Sequence, residues 1–227
     1  MFFRRITTIA PVVVISVLLT ACASSATLSP TPTPAASSSG TGVTTTSGDW
    51  VVSNTSRATA KVREQLVNVN LPSDAVLVAA GASGSFTLSD DGTFSSDSKI
   101  TFDLTTLSSD QSQRDQFVKM DTLATRQYPT AQLVPTKVSG LSLPLPASGQ
   151  FTFTLTGNLT IHGTTKVVTF DVTAQRDAGV LTATATANPS LKFEDFGMSA
   201  PSVPLRVLSV VDEIRLSVNL VANGPTT

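Results

Sequence analysis

The residues able to do chemistry are few and scattered. A hydrolytic site needs a nucleophile, a base and a group to orient them, and this chain has one histidine, His162. It stands in Ile161-His162-Gly163-Thr164 with Thr160 nearby, a context that reads as a turn in which the imidazole bonds backbone rather than acting as a general base. No second histidine and no free cysteine accompany it to complete a transition-metal site, since the one cysteine is Cys22. Asp90-Asp91-Gly92 lacks the further alternating oxygen ligands of a calcium loop and reads as a turn. Asp195-Phe196-Gly197 has three letters in common with a kinase motif, without the glycine-rich phosphate loop or the His-Arg-Asp loop that chemistry requires. No dinucleotide or P-loop spacing occurs. With 15 basic against 16 acidic residues, the chain offers no single-sign field to attract nucleic acid. These residue types point to binding rather than catalysis, with no metal and no cofactor.

The elements around these residues are strands. In Gln150 to Asp171, Phe151, Phe153, Leu155, Leu159 and Ile161 take the odd positions, while Thr152, Thr154, Thr156 and Thr160 take the even ones. That period of two marks a sheet with one dry and one wet face. His162 to Thr165 supplies the turn, and Val168, Phe170 and Val172 resume the alternation. Trp50 to Ser53 and Lys61 to Val69 read as a first pair of strands. Ala75 to Leu88 ends at the turn signal Ser89-Asp90-Asp91-Gly92, and Ile100, Phe102 and Leu104 alternate after it. Val180 to Ala187 and Asp212 to Leu220 alternate again, the former with small inward candidates. Ser108 to Leu123 breaks the pattern: Ser109 or Asp110 can cap one short helix, with Phe117, Met120 and Ala124 on one face.

The N-terminal part follows a different logic. Residues 1–21 place Arg4 and Arg5 before an apolar run from Val12 to Leu19, the form of an export signal peptide. Leu19-Thr20-Ala21-Cys22 resembles the bacterial lipobox, which implies lipidation of Cys22 and tethering to an envelope membrane, on its periplasmic or extracellular side. Residues 22–48 hold the lipidated N-terminus and then a Ser/Thr/Pro-rich stretch without charge, expected to be a disordered linker. As a flexible coil its 26 residues from Ala23 would hold the following domain about 25–30 Å from the membrane. The folded domain is expected at 49–222, with a frayed tail at 223–227.

Nine of the 11 phenylalanines follow residue 21, with Leu, Ile and Val on the same alternating faces. A filled core accounts for them, at about 1.5–3 kcal/mol per buried large side chain. So does an eight-strand barrel, just wide enough to hold a slender ligand. Periodicity alone leaves both open.

Four segments carry a resemblance. Gly157-Asn158-Leu159-Thr160-Ile161-His162-Gly163-Thr164-Thr165-Lys166-Val167-Val168-Thr169-Phe170, the Gly84-Ser85-Phe86 strand with the turn and strand after it, Arg114-Asp115 leading to Tyr128-Pro129, and Phe193 to Met198 occur in the order seen in the YceI-like family. The chain resembles this family of small secreted polyisoprenoid-binding proteins from about Trp50 to Leu220. It departs from them in lacking a histidine in an early strand and in its long neutral linker.

The resemblance implies an all-β fold, an antiparallel lipocalin-like β-barrel with one short helix, enclosing an isoprenoid lipid such as a polyprenyl phosphate or quinone. The expected apolar lining is Phe86, Ile100, Phe102, Leu104, Phe117 and Met120, with Phe151, Phe153, Leu155, Phe170 and Phe196. Arg114, Tyr128 and Lys166 are the head-group candidates. The competing expectation is a surface structural or adhesion module with a filled core and no ligand.

Overall fold

The computed structural model describes residues 48–67 and 69–224. The expected signal peptide, Cys22 and nearly all of the linker lie outside the described residues, as do the last three. Residues 42–227 form a compact unit by themselves, and the hydrophobic core lies entirely within it.

Among the described residues, nine antiparallel strands make one sheet: β1 (Asp49–Val52), β2 (Arg57–Leu66), β3 (Ser73–Thr87), β4 (Lys99–Ser108), β5 (Thr130–Ser139), β6 (Gly149–Ile161), β7 (Thr164–Asp177), β8 (Val180–Ala187) and β9 (Val207–Asn223). The strands from β2 to β9 follow one another around a closed ring, sealed where β3 pairs with β4 and β2 with β9. The expected antiparallel lipocalin-like barrel is the fold observed. Closure leaves no long edge for another strand to join.

β1 and β2 are not paired with each other, contrary to the sequence expectation. Both lie between β3 and β9: Trp50 faces Phe86 and Val52 faces Ala222, whereas Ala58 faces Ala79 and Val218. They are two halves of one barrel position, interrupted at residues 53–56. Ser56 mends the interruption, its buried hydroxyl accepting from the Val221 amide at 2.9 Å.

The longest hairpin is the one its alternation announced. β6 and β7 stay in register from Gly149 opposite Arg176 to Ile161 opposite Thr164. His162 and Gly163 form the two-residue turn at φ +50° and +73°, the pair of positive values a type I′ hairpin requires. The Gly163 Cα also passes so close to Tyr128 that a Cβ would lie 2.6 Å from its ring.

The helical connection differs from expectation. α1 (Ser112–Phe117) runs directly into a π-helical turn over Val118–Thr122. Gln111 occupies the cap position without a side-chain cap; Ser109 instead accepts the Gln111 amide and donates to Asp115. The wider turn changes which side chains share a face, because its bonds close five residues apart rather than four, as in Leu123 N–H to Val118 O at 2.8 Å. Val118, Thr122 and Leu123 therefore face the barrel interior and Met120 faces solvent.

Candidate functional site

The interior of the ring is hollow. Inward positions of β4, β6 and β7 supply large side chains, including Ile100, Phe102, Leu104, Phe153, Leu155 and Phe170. Those of β2, β3 and β8 supply Ala58, Ala60, Ala75, Ala79, Ala183 and Ala185. Facing large against small leaves a cavity of about 810 Å³ along the barrel axis. It is not the filled core of the competing expectation.

One end of this cavity is sealed. Trp50 stacks on Phe86 at 6.2 Å between centroids, and Phe94 meets Phe86 edge-on at the same distance. Behind Trp50 lies Arg176, fully buried, its Cζ 5.1 Å from the ring centroid. Nε and Nη1 donate to the carbonyls of Ala178, Leu145 and Pro146, while Nη2 has no hydrogen-bond partner among the described residues. Burial lowers the Arg176 pKa from its usual value, yet a guanidinium stays charged at any ordinary pH.

The other end is open. The exposed members of the lining are Val69, Gln111, Gln113, Leu205 and Arg206, all on connections at that end. The backbone amide of Val67 donates to Arg206 O at 2.9 Å, and Arg206 Nη1 donates to the Gln113 side chain. Two loops and the helix are thus tied into one rim. Just inside it, Arg114 Nη2 donates to Glu64 Oε1 at 2.6 Å, with Nη1 bonded to Asp110. Glu64 is buried and Arg114 mostly so, and both line the cavity. Charge is confined to the mouth; everything deeper is apolar except Gln132 and Thr122.

Of the residues singled out in the sequence, Phe86, Ile100, Phe102, Leu104, Phe117, Phe151, Phe153, Leu155 and Phe170 line the cavity, as does Arg114. Four do not. Met120 is turned outward by the π-turn. Phe196, wholly buried, sits in a 3-10 turn over Glu194–Phe196 that ends at Gly197 in the left-handed region, and its neighbours Phe193 and Met198 reach the cavity instead. Tyr128 packs edge-on against His162, centroids 4.8 Å apart, and Lys166 is exposed on β7. His162 Nδ1 faces the Phe196 carbonyl at 3.4 Å, the backbone partnership expected of it.

Sequence reasoning passed over Glu64, Arg176 and Arg206. The first two were legible in principle: Glu64 continues the inward series Ala58, Ala60, Val62, and Arg176 continues Val168, Phe170, Val172, Ala174. Arg206 lies in an irregular segment with no period to read. Among the described residues, no cluster of three or more His, Cys, Asp or Glu could hold a metal.

A closed antiparallel barrel around a one-ended apolar cavity is a lipocalin-like architecture. The chain belongs to the YceI-like domain family, which it matches over residues 39–222. The UPF0312 protein of Pseudomonas putida strain F1 is 35% identical over 133 residues, 53% of this chain and 66% of that protein. The homologous protein of Pseudomonas syringae pv. tomato is 32% identical over the same span. The match thus covers slightly less than two thirds of these relatives' own length.

Among solved structures, the fold is similar to a polyisoprenoid binding domain from Saccharophagus degradans implicated in plant cell wall breakdown, with a TM-score of 0.58 at 14% identity over 78% of this chain and 98% of that one. Burkholderia cenocepacia BcnA gives 0.54 at 20% identity, over 74% and 96%. The Campylobacter jejuni YceI protein gives 0.51 at 15%, over 72% and 91%.

Proposed function

We propose that the barrel binds an elongated isoprenoid lipid, a polyprenyl phosphate or a quinone, tail inward toward Trp50 and polar end at the mouth beside Arg114 and Arg206. The observation that carries this reading is the cavity: long, apolar, sealed at one end, with charge only where it opens. The polyisoprenoid-binding description of the Saccharophagus degradans domain supports the ligand class. Catalysis has no comparable support, since the one histidine is engaged in a turn.

The energetics suit a reversible carrier. Burying a prenyl chain from water yields about 0.8 kcal/mol per methylene, but a bilayer offers nearly the same, so the net preference for the protein is small. We further propose that Cys22 carries a lipid anchor on an envelope membrane, keeping the barrel beside its lipid source. Organic extraction of the purified protein followed by mass spectrometry tests the ligand. Recovery of a prenyl lipid supports the reading; a cavity free of any prenyl lipid, and unable to take one up when offered it, would overturn it.

A further inference from the structure

The apolar surface of this barrel is polarised. Among the described residues the four most exposed large apolar side chains are Leu205 at 92%, Leu71 at 75%, Val167 at 73% and Leu208 at 67%. Strand direction places all four at or beside the open end: Leu71 in the β2–β3 connection, Val167 just after the β6–β7 turn, and Leu205 and Leu208 where the chain enters β9. Of the remaining exposed large apolar residues, only Val51 and Val180 belong to the sealed end. Random scatter of surface leucines and valines would show no such preference, and a concentration of apolar tips is the mark of an interaction surface.

Leu205 adds a second observation. Its φ is +68°, a left-handed conformation that suits glycine, yet the side chain held there is a leucine standing almost wholly in water. Burial does not repay that strain, and strain held at a surface position points to use.

We infer that the open end is a membrane-docking surface, in which Leu71, Leu205 and Leu208 insert into the interfacial region of a lipid bilayer. This rests on the proposed lipid cargo, and the geometry argues for a bilayer over a protein partner. The tips project from two neighbouring segments, the β2–β3 connection and the entry to β9, and do not line a groove shaped for a helix or strand. Val69 and Leu205 are at once exposed on the rim and part of the cavity lining, so the apolar path from outside to inside is unbroken. A lipid tail leaving a bilayer through this mouth would not cross water.

Charge at this end is mixed. Lys119, Arg126, Lys166 and Arg206 are largely offset by Asp115, Asp121 and Asp195, while Arg114 is paired with Glu64 and Asp110, and Lys192 with Glu194. The residues of the β2–β3 connection from 67 to 72 carry no charge at all. Docking is therefore driven by apolar insertion, requires no anionic lipid and is little affected by salt.

The test uses residues 42–227, a compact unit with its own core that lacks Cys22 and the apolar leader, so that any vesicle binding belongs to the barrel. Flotation with vesicles of phosphatidylcholine alone is measured beside uptake of farnesol from solution, read through Trp50 fluorescence. Docking predicts flotation that persists at 1 M salt. It predicts a loss of about tenfold or more for each of Leu71→Ser and Leu208→Ser, exposed positions that do not line the cavity.

Val51→Ser at the sealed end should float like the unaltered barrel, and all these variants should take up farnesol normally. No flotation of the unaltered barrel, its loss in high salt, or equal losses for Val51→Ser and Leu208→Ser would each overturn the docking surface. Flotation without farnesol uptake would support docking while removing the proposed cargo.

Discussion

Arg176 lies over the indole of Trp50, 5.1 Å from the ring centroid, and neither residue exposes more than 1% of its surface. A buried cation without a carboxylate is costly, and here three carbonyl bonds and an aromatic face offset that cost. The pair closes the barrel floor that any ligand tail would meet. Arg176→Ala opens a void and orphans three carbonyls, so it should lower stability in urea titration by about 3 kcal/mol or more. Arg176→Met keeps much of the volume and removes the buried charge, and should lose no more than about half as much. Equal losses would show that the charge, not the volume, seals the floor.

Gly84 fixes the path of β3 along β4. Its φ is +116°, and a Cβ there would stand 2.0 Å from the Lys99 carbonyl oxygen, a backbone atom that cannot step aside. Gly140, at φ +79°, has nothing within 4 Å of the corresponding point. Gly140→Ala should therefore cost about 1 kcal/mol of backbone strain alone. Gly84→Ala should cost at least about 3 kcal/mol, or prevent folding, because steric displacement adds to the same strain. Comparable denaturant midpoints for the two variants would refute this account.

The glycines of β3 also mark where the sequence ceased to be readable. β6 and β7 were legible because apolar residues recur at alternate positions along the inward face of each, and period two then specifies both register and side. In β3 the strand was readable and its side was not: Ala75, Leu77 and Ala79 are buried on odd positions and Ala82 and Phe86 on even ones, the change of side falling between Ala79 and Ala82, at Gly81 with φ +67°. β1 and β2 were mistaken for partners because alternation says which face a strand buries, not which strand lies beside it. In the candidate site, the aromatic wall was readable from its period, whereas Glu64 and Arg176 occupy inward positions that charged side chains seldom take. Met120 was misplaced because a helical period of 3.6 does not survive a π-turn.

At the mouth, Glu64 and Arg114 join β2 to α1 across 2.6 Å, both largely shielded from water. Breaking such a pair leaves one charge poorly compensated, so Glu64→Gln should cost about 1–3 kcal/mol in thermal or urea unfolding. Arg114 retains Asp110, which keeps the loss below that of an isolated buried pair. The double change Glu64→Leu with Arg114→Met should recover most of the loss. A double-mutant cycle with no coupling would show the two side chains to be independent.

Asp74 sits outside the barrel on β3, beside Arg63 of β2 and 2.6 Å from Arg215 of β9. The Arg215 hydrogen bond, helped by Arg63, holds its carboxyl below the ordinary value of 3.8. A folded-state pKa below the unfolded one gives stability that is present above pH 3.8 and is lost as pH falls through the lower folded value. The group is open to solvent, so the effect at neutral pH is small and salt-sensitive. Asp74→Asn should flatten the acid limb of the stability curve below pH 4 while barely changing it at pH 7. An unchanged acid limb would mean that other carboxylates set it.

The cavity limits how much of a prenyl chain the barrel can cover. At about 30 Å³ for each water-sized group, 810 Å³ holds roughly 25 heavy atoms, or about five isoprene units. A longer chain must leave its remainder outside the mouth. Binding measured from water by Trp50 fluorescence should therefore strengthen with each added isoprene unit up to about five, because each unit removes apolar surface from solvent, and should then level off. Ala185 faces the interior from β8, and Ala185→Phe would add a ring of about six carbons to that space. The plateau should then arrive about one unit earlier, with stability unchanged or slightly raised, since the added ring fills a void rather than displacing packed neighbours. Affinity that kept climbing well beyond five units, or a plateau unmoved by Ala185→Phe, would mean that the chain lies somewhere other than this cavity.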